Sequence, residues 1–241
     1  MTKKDKTRYL IFRTLGNFFI LFTIFGFFAT FGPAAYYEIQ YRIGKAYGVT
    51  YQVSSVEQKP SELGEVIKRS KISTSQQSPS FLGGVLSGEK EQILVPPSTD
   101  FSIVIPKIGA SEAISANVDP SNEKEYLEIL SHSVAHARGS AFPGLKGTTY
   151  LFAHSADNFW NVGRYNAVFY LLKELVPGDE VVVFFQGKRF NYKVTDKKIV
   201  DPQDTSYIKS NLGKGEELIL QTCWPPGTTW KRLLIIAKPV R

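Results

Sequence analysis

From Leu15 to Tyr37 the chain carries no charged residue, and Phe, Ile and Leu dominate the run. About 20 apolar residues suffice to cross the hydrocarbon core of a bilayer, so residues 15–37 are expected to form a transmembrane anchor. A short basic tail, 1–14, precedes this run and Glu38 follows it. Positive charge stays on the cytoplasmic side, which predicts a single-pass protein with its N-terminus inside and the remainder outside. Ala34-Ala35 resembles a weak cleavage site. The apolar run nevertheless exceeds the roughly 7–15 residues of a signal-peptide core, which favours an uncleaved anchor.

Residues 38–93 lack a core-forming pattern. Tyr36, Tyr37 and Tyr41 suit an interfacial aromatic belt. Polar stretches such as Lys71 to Ser80 follow, ending at Gly83-Gly84. This composition predicts a linker or stalk, with one short helix around 61–69.

From Leu94 onward the texture becomes β-rich. Phe101 to Pro106 and Glu112 to Ala116 read as short strands separated by Gly109. Ser121 can cap a helix running through Leu130, with Tyr126, Leu127 and Leu130 on one face. Thr148 to Ala153 is a strand that delivers His154 at its end, and Tyr165 to Leu175 has helical periodicity. Val181 to Phe185 and Arg189 to Val194 flank Gln186-Gly187-Lys188, a hairpin signal. Glu217 to Thr222 and Leu233 to Ala237 supply two more strands. Many short strands with few helices predict a mainly β domain over 94–241, a closed barrel or sandwich and not a βαβ fold.

Charge changes the picture only when divided. The formal net charge of +7 suggests nucleic-acid binding, but Lys3, Lys4, Lys6, Arg8 and Arg13 face only Asp5 within the tail. The remaining chain holds +3 of that charge, too little for a phosphate-tracking stripe. No nucleic-acid partner is expected.

The single cysteine, Cys223, cannot form an intrachain disulfide. On an exported domain a lone thiol is buried, paired between molecules or kept for reactivity. His154 ends one strand, Cys223 ends another before Trp224-Pro225-Pro226-Gly227, and Arg232 opens the next. A nucleophilic Cys is activated by a neighbouring cation or imidazole. Acyl transfer also needs a proton donor for the leaving amine and a positive group for the oxyanion. Taken singly, each residue has a structural alternative: a core Cys, a satisfied His, a solvated Arg.

The local wording separates these readings. Ile219-Leu220-Gln221-Thr222-Cys223 resembles the sortase signature Thr-Leu-x-Thr-Cys, with Ile219 in place of the first Thr. Arg232 follows nine positions after the Cys and opens an apolar strand, as in several sortase classes. Pro143-Gly144 and Gly147 through His154 resemble the family's Pro-Gly, Gly, strand, His run, and Ile105-Pro106-Lys107-Ile108-Gly109 its first strand and turn. The similarity spans about residues 94 to 241.

This resemblance implies an eight-stranded sortase β-barrel and a cysteine transpeptidase. The enzyme would cleave a sorting signal such as Leu-Pro-x-Thr-Gly in an exported protein. Cys223 would form a thioester, Arg232 would stabilise the oxyanion and His154 would move the protons. The acceptor would be an amine of a cell-wall precursor or another surface protein, and the chemistry requires no metal or organic cofactor. Thr222 is motif-adjacent, and Trp224 and Trp230 bracket the Cys-to-Arg loop; all three are candidates for substrate contact. Packing of the barrel rim is the first reading of the Trp pair.

Other readings carry distinct signatures. His132 and His136 lie four apart and would share a face on a continued helix, but their spacing does not support a zinc site with His154 and Cys223. His136 is expected to brace its loop. An L,D-transpeptidase places Arg almost directly after the Cys, and papain-like proteases place the nucleophile before the His. A non-catalytic, membrane-tethered binding barrel would leave Cys223 unreactive. A pilin-polymerising sortase would carry an Asp-Pro-aromatic lid. No such motif occurs between Tyr51 and Asp100, and Asp119-Pro120 is followed by Ser121. Protein anchoring is therefore the expected role.

Overall fold

A computed structural model describes residues 3–54, 91–155, 167–204, 206–209, 215–226 and 228–240. The expected short helix at 61–69, and most of the expected linker, lie outside these residues.

The N-terminal helix α1 spans Lys3–Tyr47. Its segment Lys4–Phe28 is long and apolar enough to cross a membrane. Phe18, Phe22, Phe25 and Phe28 stand exposed along it, as a lipid-facing helix requires. The helix does not stop at Tyr37 but continues ten residues further, to Tyr47. This extension touches the globular domain: Lys173 Nζ lies 2.8 Å from Glu38 Oε2, and Tyr41 packs on the domain core.

Beyond α1, two short strands pair in parallel: β1 (Thr50–Val53) and β2 (Glu91–Leu94). The expected linker thus contains a small sheet at its two ends. The sheet has a packing role, because Val53 and Leu94 cover Val104, Val182 and Phe184 on the outside of the barrel. Tyr51 lies over Gly109, where an added Cβ would meet its ring at 3.0 Å. Gly109 also has a φ of 64°, so two independent constraints favour glycine there.

The remaining strands are β3 (Phe101–Ile105), β4 (Ala110–Val118), β5 (Val134–Ala137), β6 (Gly147–Phe152), β7 (Glu180–Phe185), β8 (Lys188–Val200), β9 (Glu216–Trp224) and β10 (Lys231–Pro239). They close into an eight-stranded barrel in the order β10-β8-β7-β3-β4-β5-β6-β9. Closure leaves no unpaired edge. The β4–β5 and β6–β9 pairs are parallel and the rest antiparallel. The β7–β8 turn is the expected hairpin, with Gln186 and Gly187 both at positive φ, 50° and 74°. Paired positive φ values match the twist of the flanking strands.

Helix α2 (Glu123–Leu130) joins β4 to β5. Its N-cap is Asn122 and not Ser121, because the Asn122 side chain accepts the Glu125 N–H. At the i, i+3, i+4 spacing of one helix face, Tyr126, Ile129 and Leu130 pack against the core, whereas Leu127 stays 43% exposed. The expected helix over 165–175 appears as 3-10 turns at Ala167–Glu174, with Phe169, Leu172 and Leu175 buried. A third helix, α3, is the single turn Ser206–Lys209.

Strand alternation separates inside from outside. Ile103, Val181, Val183, Tyr192, Leu218, Leu220, Leu233 and Ile235 are each fully or almost fully buried. The register aligns them on the inner face. Each such residue stabilises the barrel by roughly 1.5–3 kcal/mol relative to exposure.

Candidate active site

Cys223 is the next-to-last residue of β9, and Arg232 is the second residue of β10. The two are direct cross-strand partners. Directly opposed residues project from the same sheet face, with Cβ atoms about 4.5–5.5 Å apart. The inner positions Leu218, Leu220 and Thr222 alternate with Ile219, Gln221 and Cys223. Cys223 and Arg232 therefore stand on the outer wall, near the strand ends.

His154 approaches from the other neighbour of β9. Strand β6 runs parallel to β9, and Phe152 is paired with Gln221. The chain continues in step, since the Ala153 N–H donates to Gln221 O at 3.2 Å. Thr222 then donates its hydroxyl to Ala153 O at 3.0 Å. His154 follows Ala153 directly, at the end of the segment held against β9. Sequence adjacency within one strand thus brings Thr222 and Cys223 together, and sheet pairing adds Arg232 on one side and the His154 segment on the other.

Burial pushes the Cys223 thiol up, and the Arg232 guanidinium pulls against it without cancelling the shift. An ammonium or guanidinium beside a thiol favours the thiolate, whereas an apolar surrounding opposes it. Arg232 Nη1 donates to Thr229 O at 3.1 Å and Lys231 O at 3.2 Å. These bonds hold the guanidinium at the mouth of the β9–β10 loop.

The candidates for substrate contact separate. Thr222 is only 2% exposed and faces inward, and its hydroxyl fixes the residue before His154. Trp224 is partly buried and packs against the core, the structural alternative already named for it. Trp230 is 73% exposed. A cis peptide joins Trp224 to Pro225.

The other two histidines do not share a helix face. Helix α2 ends at Leu130; His132 lies in the following turn, while His136 lies in β5. His136 is fully buried. The Asn117 N–H donates to its Nδ1 at 3.3 Å, which assigns the proton to Nε2. Nε2 then meets Ala141 O at 3.1 Å and Ser140 Oγ at 2.9 Å. Its ring stacks on Phe142 at 4.5 Å, and burial holds its pKa below the ordinary imidazole value. With both nitrogens engaged, it braces the 137–142 turn. Among the described residues no group of three or more His, Cys, Asp or Glu could hold a metal.

Two tyrosines near the site had no chemical signal in the sequence. The Tyr150 hydroxyl donates to Gln221 Oε1 at 2.5 Å, which orders the outer wall one pleat before Cys223. Tyr126 packs edge-on against Phe152, with centroids 6.3 Å apart. Periodicity had marked Tyr126 only as a core-facing helix residue.

A sortase-domain family model matches residues 103–240, more than half the chain and including Cys223 and Arg232. The chain belongs to the sortase family. It is 33% identical over 139 residues to sortase D of Bacillus subtilis, covering 56% of this chain and 61% of that protein. The chain thus matches less than two thirds of that sortase's length. Among solved structures, sortase C-1 of Actinomyces oris is 28% identical, with a TM-score of 0.48 over 58% of this chain and 73% of that one. A Clostridium perfringens sortase D5 transpeptidase is 25% identical, with a TM-score of 0.48 over 59% and 79% of the two chains.

Proposed function

We propose that this sortase is a membrane-anchored cysteine transpeptidase acting on exported proteins that bear a sorting signal of the Leu-Pro-x-Thr-Gly kind. The observation that carries this reading is the cross-strand pairing of Cys223 with Arg232, flanked in register by the segment that ends in His154.

In the reaction, Cys223 sulfur attacks the carbonyl carbon of the signal's Thr. Burial keeps the resting thiol protonated, so the proton passes to His154 as the sulfur becomes the nucleophile. Arg232 stabilises the oxyanion of the tetrahedral intermediate. The Thr–Gly peptide bond then breaks, His154 returns its proton to the leaving amine, and a thioester remains on Cys223. An acceptor amine, from a cell-wall precursor or a surface protein, gives up a proton to His154 and attacks the thioester. A new amide forms and Cys223 leaves as the thiol. Thr222 keeps the His154 segment against β9, and the exposed Trp230 covers an apolar substrate residue.

The N-terminal apolar helix supports a single-pass anchor in the lipid, with the basic tail inside and the barrel outside. The test uses the full chain in detergent micelles, a set of Leu-Pro-x-Thr-Gly peptides and an added amine such as triglycine. Wild-type protein should yield a trapped thioester on Cys223 and a ligated product. Peptide binding without turnover, together with an unreactive Cys223, would identify a binding barrel instead.

A further inference from the structure

The outer wall around Cys223 can be traced residue by residue. Tyr150 pairs with Ile219 and Phe152 with Gln221 across β6 and β9. Gln221 is one pleat repeat, about 6.6 Å, from Cys223 on the same face. Phe152 is therefore a near neighbour of the thiol on that wall. Tyr126 lies against Phe152 at an interplanar angle of 78°, which sets its ring over the same wall.

Helix α2 is held firmly enough to make this position meaningful. Asn122 caps its first turn. Arg138 reaches from the end of β5 to Asp119 at 2.9 Å and to Glu125 at 3.3 Å. These contacts fix the residues leading into Tyr126, while Ile129 and Leu130 on the following turn pack against the core. The ring is anchored, yet Tyr126 remains partly open to solvent. Its ring reaches this wall through Phe152, the β6 residue paired with Gln221.

We infer that Tyr126 is a substrate-positioning residue, whose hydroxyl donates a hydrogen bond to the backbone of the extended peptide lying across Phe152 towards Cys223. An extended peptide presents carbonyl oxygens at every residue, so one fixed donor sets its register along the wall. Burial raises the phenol's pKa, which keeps this group a donor throughout the working pH range. Tyr126 takes no part in bond making, and the inference rests on the transpeptidase reading above.

The test compares Tyr126→Phe with wild type and Cys223→Ala, as full chains in detergent micelles, using the Leu-Pro-x-Thr-Gly peptide that wild type cleaves fastest. Phe keeps the edge contact with Phe152 and deletes only the hydroxyl. KM is expected to rise about three- to tenfold, the worth of one hydrogen bond, with kcat within about twofold by the same reckoning. The melting temperature and the pH midpoint of Cys223 alkylation by iodoacetamide should stay unchanged. Tyr126→Phe with wild-type KM would overturn the inference, as would a KM increase tracking an equal loss of thermal stability. Cys223→Ala separates the two claims. If it retains cleavage, the transpeptidase mechanism fails; if it is inactive while Tyr126→Phe behaves as wild type, only the role of Tyr126 fails.

Discussion

The inner and outer faces alternate along the neighbouring strands β5, β6 and β9, yet their polar groups behave in opposite ways. Inside, His136 opposes Leu151 and has both nitrogens occupied, an aromatic ring stacked on it and no exposure. Thr222, also inward, spends its hydroxyl on Ala153 O. Outside, Cys223 is held partly buried at a raised pKa beside Arg232. A satisfied buried network rigidifies a fold. A partly buried thiol next to a guanidinium has the neighbouring charge that a reactive cysteine requires. The difference teaches that burial alone does not mark a candidate site; an accessible group beside a charge, with no network that satisfies it fully, does.

The sharpest way to break this contrast is to delete the outer thiol. Cys223→Ala should lower peptide cleavage and ligation by at least about 10³-fold, with little change in thermal unfolding. Activity surviving in that variant would return Cys223 to the status of a small core residue.

Next in size is Arg232→Ala. Loss of an oxyanion-stabilising group costs about 10²- to 10³-fold in kcat. Because Arg232 lowers the Cys223 pKa, its removal should also move the pH midpoint of thiol alkylation upwards. An unmoved midpoint would mean that the guanidinium does not act on the sulfur.

The inner face should respond in the reverse manner. His136→Ala is expected to destabilise the fold by about 2–3 kcal/mol through lost packing and unpaired polar groups, while folded protein keeps its kcat. The pH dependence has a defined sign. Burial depresses the folded-state pKa of His136, whereas the unfolded imidazole binds a proton near 6.5. Below about pH 6.5 the unfolded state therefore holds more protons. The stability contributed by neutral His136 is intact above that pH and falls as pH drops towards the folded-state pKa. Urea unfolding at pH 5 and 8 should show a smaller pH difference in His136→Gln than in wild type.

The smallest effect is expected where α1 meets the barrel. Lys173→Ala removes the contact with Glu38, and a partly exposed pair of this kind contributes at most about 1 kcal/mol. Turnover of soluble peptides in micelles should stay within about twofold of wild type on that basis. A large loss would show that the anchor acts on the catalytic wall.

The sequence by itself determined the long apolar N-terminal helix, the β-rich domain, the Gln186-Gly187 hairpin and the triad candidates His154, Cys223 and Arg232. These are local properties: uninterrupted hydrophobicity, period-two alternation, turn chemistry, and residues at strand ends. Sequence periodicity placed Tyr126 on one helix face with Leu127 and Leu130 but could not reveal that its ring packs on Phe152. Extending a possible helix to His136 failed for the same reason, since a spacing of four carries no meaning once β5 begins at Val134. Only the closed barrel decided that Thr222 points inward while Cys223 points outward, because register, and not composition, assigns each residue of an alternating strand to its face. Only the closed barrel, too, laid β6 and β10 on either side of β9, bringing together residues that are 69 or 9 positions from Cys223 along the chain.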